Sequence, residues 1–146
     1  MMKKEWWQRP LRVIQYNLQV LDTPKMDPVK LIRDAADASA NAVLMNIGGI
    51  YSWYPTKVPY HHRNEYLPEG RDLLRELIEE SHRRGIRFIG RFDFNLAVDS
   101  IYLQKPHWFA QTRDKQPMYV GEKRMGNWPL LLSACRLGGY CNEEVA

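Results

Sequence analysis

Runs of β-branched and aromatic residues alternate strictly with runs of helical periodicity between residues 12 and 94, and this alternation constrains the fold more than any other feature of the sequence. Residues 12–19 combine Val13, Ile14 and Tyr16 and read as a first strand. A helix follows. Asp27 suits an N-cap and Pro28 the first helical position, after which Val29, Leu31, Ile32, Ala35, Ala36 and Ser39 recur along one face, with Asn41 closing the helix. Residues 42–48 form a nearly continuous apolar run of the kind found in a parallel strand covered on both faces. Leu73, Leu74, Leu77, Ile78 and Ser81 then make a second apolar stripe, Glu76, Glu79, Glu80, Arg83 and Arg84 its wet side, and Gly85 its C′ residue. Residues 86–94 read as a third strand. Beyond it the pattern is less regular, with a short helix broken at Pro106 expected within residues 100–112 and a short strand within 128–133.

Such alternation implies parallel strands joined by right-handed crossovers, as either an open doubly wound sheet or a barrel. A dinucleotide-binding sheet would carry a glycine-rich turn after its first strand, and residues 18–24 contain no glycine. No P-loop motif occurs either. A barrel is favoured because long polar and aromatic segments follow strands two and three, where barrels assemble their sites. The expected fold class is therefore α/β, an incomplete (β/α) TIM-type barrel of three to four N-terminal parallel strand-helix units. Residues 1–11 are read as an N-terminal extension and residues 12–146 as part of the barrel domain.

Apolar runs such as 42–45 and 129–132 fall far short of the roughly 18 residues a membrane span requires. The basic opening, Met1 to Lys4, is followed by Glu5, Trp6 and Trp7 rather than by an apolar signal region, so a cytoplasmic protein is expected. Net charge is +4, but basic residues occur in short separated pairs such as Arg83-Arg84 and Lys123-Arg124, with acidic residues nearby. That is a mixed solvated surface, and no nucleic-acid or membrane partner is expected. Cys135 and Cys141 lack neighbours at metal-site spacing and are expected to be reduced thiols.

The segment between Gly48 and Gly70 is too long for an ordinary connection and reads as a functional loop. Half of residues 51–62 are Tyr, Trp or His. Sugar rings offer apolar C–H faces and a rim of hydroxyls, so flat aromatic platforms beside hydrogen-bonding groups suit an oligosaccharide. Trp53 and Tyr54 are candidate platforms, or else pack the loop against the rim. Tyr16, Asn17 and Asn46 stand near the C-terminal ends of their strands and are candidate polar contacts, or else satisfy loop backbone. His61 and His62 are adjacent and lack partners at ligand spacing, so no metal and no other cofactor are expected; a donor to substrate or an ordinary loop role remains for each. Asp93, flanked by Phe92 and Phe94, is the candidate carboxylate of this region, with a pairing to Arg91 or a capping role as its structural alternative.

Tyr16-Asn17, residues 51–57, residues 73–90 and the Lys105-Pro106-His107-Trp108 element together resemble the hypothetical glycosyl hydrolase 6 family, itself similar to α-L-fucosidase-like barrels. The resemblance covers residues 12–142, although residues 135–140 depart from the family's Cys-x-Asn pattern. It implies a sugar-binding barrel whose catalytic carboxylates come from strand four onward. Asn142, Glu143 and Glu144 read as the start of a further helix, so the sequence is expected to be truncated. The expected function is the substrate-binding portion of a glycoside hydrolase acting on oligosaccharides. The alternatives are a non-catalytic carbohydrate-binding protein and a different barrel hydrolase, such as a polysaccharide deacetylase or a metal-dependent hydrolase. Three strands leave two unpaired edges, so a marginal, aggregation-prone or homo-oligomeric chain is also expected.

Overall fold

The computed structural model describes residues 5–120 and 131–135. Cys141, the helix start expected at Asn142, Lys123-Arg124 and most of residues 135–140 lie outside the described residues. Three strands, β1 (Val13–Tyr16), β2 (Ala42–Gly48) and β3 (Arg87–Phe92), form one parallel sheet in the order β1-β2-β3. Helices α1 (Pro28–Asp37) and α2 (Leu73–Arg83) connect them. All three parallel strands and both helices thus stand where the periodicity placed them.

Local chemistry explains the boundaries. The Asp27 carboxylate accepts the Lys30 N–H and Asp72 accepts the Arg75 N–H, so each helix begins at a capped turn. α2 ends before Gly85, whose φ of +68° is costless without a side chain. α1 ends earlier than Asn41, at Ala38, because Ser39 takes a left-handed conformation with φ of +61°. Asn41 instead staples the edge of the sheet: its Oδ1 accepts the Arg12 N–H at 2.8 Å and its Nδ2 donates to the Pro10 carbonyl at 2.9 Å.

Both helices cover the same face of the sheet. Ile32 and Ala35 of α1 and Leu73 and Leu77 of α2 share a core with Val43 and Met45 of β2, with Ile14, Tyr16 and Phe88 packed against it. On the opposite face Val13 is exposed, and Leu44 and Ile89 stay half-buried outside that core. Glu80, expected on the wet side of α2, is buried, where Arg83 and Arg84 neutralise it from the next turn. Val29, expected on the apolar stripe of α1, is exposed because that stripe narrows at the first turn.

The fourth unit departs from expectation. Residues Leu96–Val98 (β4) pair antiparallel with Leu131–Ser133 (β5) in a separate two-stranded sheet, and α3 (Asp99–Tyr102) occupies one turn before a 3-10 turn at Pro106–Trp108. Among the described residues, the parallel strands therefore number three. The helix thus stops at Tyr102, short of the break expected at Pro106, and the proline instead opens the 3-10 turn, whose first position suits its fixed φ. β4 carried no legible signal because three residues are too few for period-two alternation.

Leu77 is 1% exposed at the centre of the helix-sheet contact, so Leu77→Ala should cost about 3 kcal/mol in urea unfolding. Val29→Ala, at an exposed position of α1, should cost less than about 0.5 kcal/mol. Equal costs would contradict the one-sided core.

Candidate functional site

Parallel pairing sends the chain out of β2 and β3 at the same end, and the two outgoing segments meet there. The junction requires Gly49. Its φ is +99°, and a Cβ would lie 2.1 Å from the Asp93 carbonyl oxygen, so no other residue fits without backbone movement. The Asp93 N–H donates to the Gly48 carbonyl at 3.0 Å and closes the contact.

Four sequence-marked residues share one hydrogen-bond network around this junction. Asn46 donates through Nδ2 to the Asp93 carboxylate, and its Oδ1 accepts the Gly48 N–H at 3.1 Å. Trp53 donates its indole N–H to the Asn46 carbonyl. His61 accepts the Gly49 N–H on Nε2 at 3.2 Å, which leaves the ring hydrogen on Nδ1 to donate to Thr56 Oγ1, also at 3.2 Å. Arg91 completes the arrangement. Its Nη2 donates to Asp93 Oδ2 at 3.1 Å, and its Nε lies 3.0 Å from Oδ1 at an angle too oblique for a hydrogen bond. Asp93 Oδ2 thus accepts from both Asn46 and Arg91, while Oδ1 faces the Arg91 guanidinium as an ion pair.

Other candidates fall elsewhere. Tyr16 turns to the helical layer and donates to the Leu31 carbonyl of α1 at 3.3 Å; burial, then Asp34, raises its phenol above the ordinary range. Trp53 is 1% exposed, stacked on Tyr51 and held in the core, so its ring faces are covered. Tyr51 is likewise buried, which strongly raises its phenol, with Glu65 adding to the effect. Asn17 accepts from Gln15 at 2.8 Å on the exposed end of β1. His62 sets one ring edge against Tyr51 and places Nε2 3.1 Å from Glu65 Oε2. Tyr54 remains beside His61, with ring centroids 5.8 Å apart.

The long loop is an ordered rim. The Asn64 amide donates to the Val20 carbonyl at 3.0 Å and to Thr23 Oγ1 at 2.6 Å, joining this loop to the one that follows β1. Arg71 reaches the carbonyls of Thr23, Pro24 and Met26 while paired with Glu76. Backbone bonds from Ser52 to His62 and from Asn64 to Ser52 fix the loop on itself.

Between the two segments lies a cavity of about 310 Å³, walled by Tyr54, Tyr60, Phe92, Phe94, Ile101 and Trp108 among others. Phe92 and Phe94 stack at 5.4 Å with planes 4° apart, and each is a little over 40% exposed. Tyr60 meets Trp108 edge-on, and the Lys105 ammonium lies 5.1 Å and 5.2 Å from their ring centroids. Sequence reasoning placed weight on residues 51–62 and missed this second wall. The sequence holds a signal, since Phe92 and Phe94 sit two apart and share a side in an extended chain.

With this geometry established, comparison with known proteins places the chain. A sequence model of the family described as hypothetical glycosyl hydrolase 6 matches residues 27–144. The chain belongs to that family. No individually curated protein matches it significantly. Among solved structures it is similar in fold to an alpha-galactosidase from Thermus thermophilus in complex with stachyose, at 17% identity and a TM-score of 0.54 over 86% of this chain and 26% of that one. It is also similar to alpha-L-fucosidase isoenzyme 2 from Paenibacillus thiaminolyticus, at 14% identity and a TM-score of 0.56 over 87% of this chain and 19% of that one. The parallel β-α-β-α-β arrangement thus fits part of a TIM-like domain, and the chain spans about a quarter or less of each neighbour's length. Among the described residues no helix is long and apolar enough to cross a membrane.

Burial, assisted by His62, holds the His61 imidazole below its ordinary 6.5. The unfolded chain therefore takes up this proton first, so native stability is full above about pH 6.5 and falls as pH drops from there toward the lower folded value. Urea midpoints measured from about pH 7.5 to about pH 5.5 should decline in the native protein and show a smaller slope in His61→Gln. Identical slopes would show that His61 is not held neutral.

Proposed function

We propose that this chain forms the substrate-binding, N-terminal portion of a glycoside hydrolase barrel acting on oligosaccharides, with residues 12–146 belonging to the barrel domain and residues 1–11 preceding it. One observation carries the reading: the loops leaving β2 and β3 bring an aromatic cavity against the polar Asn46–Arg91–Asp93 cluster at the C-terminal ends of parallel strands, in a chain of a glycosyl hydrolase family. That end is where barrel enzymes hold substrate. Ring faces of Tyr54 and Phe94 suit the C–H faces of a sugar, and the Asn46–Arg91–Asp93 cluster suits its hydroxyls. Family membership and the two glycosidase folds support the same reading.

In this reading Asp93 orients substrate and does not attack it. Its Oδ2 accepts from Arg91 and Asn46 and its charge is paired with Arg91, whereas hydrolysis of a glycosidic bond normally uses two carboxylates roughly 5 to 10 Å apart across the scissile bond. The pair is assigned to polypeptide beyond β3. The half-buried face of the sheet away from the helices, and edges of β1 and β3 that pair with no further strand among the described residues, support a larger barrel, since parallel sheets are otherwise covered on both faces.

Calorimetric titration with stachyose, the sugar bound by the alpha-galactosidase neighbour, tests the reading directly. Binding should weaken by about tenfold in Tyr54→Ala and in Phe94→Ala, the loss of one stacked aromatic face. Oligosaccharide affinity untouched by both substitutions would remove the rim from the site.

A further inference from the structure

The cavity and the polar cluster beside it differ sharply in chemistry, and that difference points to a substrate of two unlike halves. A pyranose carries several hydroxyls, and each one buried without a partner costs more than its ring faces gain. The cavity offers few partners. Both nitrogens of His61 are already bonded, to Gly49 and Thr56. The Trp108 indole N–H, buried without an acceptor among the described residues, is one open donor for an oxygen on the occupant, and the phenols of Tyr54 and Tyr60 are the other hydroxyl groups of the lining. The remaining wall is largely aliphatic and aromatic: Val58, Phe92, Leu96, Ala97, Ile101 and Phe109. Hydrogen-bonding groups gather instead across Gly49, which both lines the cavity and abuts Asp93.

We propose that the cavity receives the apolar aglycone of a glycoside, an aryl group above all, while the sugar lies over Asn46, Arg91 and Asp93. This rests on the glycoside-hydrolase reading and narrows its substrate to glycosides of phenolic or similarly apolar alcohols. Volume agrees with the assignment. A dry apolar cavity of roughly 150 Å³ holds benzene, so about 310 Å³ accommodates a substituted ring or two fused rings. The stacked pair Phe92 and Phe94 and the edge-on pair Tyr60 and Trp108 supply both geometries in which aromatic rings associate favourably.

The test titrates the full chain with p-cresol, as an aglycone probe, and separately with stachyose. Ala97→Phe fills the cavity from β4 without touching the polar cluster, and should weaken p-cresol by about tenfold or more while leaving stachyose within about twofold. Should Ala97→Phe fail to fold by circular dichroism, Leu96→Ala removes an apolar part of the cavity wall other than Tyr54 and Phe94, and should weaken p-cresol by about tenfold while leaving stachyose within about twofold. p-Cresol affinity unaltered by these substitutions, or absent in the folded protein, overturns the inference. Stachyose binding without p-cresol binding does so while leaving the glycoside-hydrolase reading intact. p-Cresol binding lost on filling the cavity, in a protein that binds no carbohydrate, overturns the assignment to an aglycone and the glycoside-hydrolase reading with it.

Discussion

Parallel pairing of β2 with both of its neighbours obliges the chain to leave β1, β2 and β3 at the same end, and everything assembled at that end follows from it. An antiparallel partner would have sent one of these exits to the opposite rim. Register is equally binding. Asn46 stands opposite Arg91, and a bulge at Ile47 brings Gly48 opposite Phe92, so the Asn46 amide meets the carboxylate two residues beyond Arg91. A slip by one residue would turn Asn46 into the helical layer and Met45 out of it. The core therefore sets the geometry of the polar cluster: Val43 and Met45 must face α1 and α2, and Asn46 must then face away.

Periodicity made the parallel units legible because both helices and all three strands bury one consistent set of side chains. The Asp27-Pro28 start and the Gly85 stop were likewise visible, since capping is a local matter that a few residues decide. What could not be read were choices made by distant partners. Ser39 ends α1 because the backbone turns toward β2, leaving Asn41 free to bind residues 29 and 31 positions earlier. Glu80 looks solvent-facing until two arginines of the following turn close over it.

The aromatic segment illustrates how composition indicates a place without assigning roles. Residues 51–62 do lie beside Asp93, but Tyr51 and Trp53 serve as the core of the rim, and of the segment's rings Tyr54, Tyr60 and His61 line the cavity together with Val58 and Pro59. No local pattern separates these groups, because alternation breaks down in a loop whose path is set by hydrogen bonds to Asn46, Asn64 and Gly49. The opposing wall, from Phe92 to Phe109, is scattered over a strand end, a short antiparallel ribbon and two short helical turns, each too brief to announce itself.

The clamp made by Asn64 and Arg71 sets where this rim is able to adapt. By fastening the loop after β2 to the one after β1 through five main-chain or hydroxyl oxygens, it makes the two a single stiff ledge. Shape changes that accommodate different occupants must then arise beyond Asp93, where Trp108 and Lys105 meet the ledge at the ring of Tyr60. Divergence among family members would follow the same division, with the ledge holding its form and the facing segment varying in length and side chains.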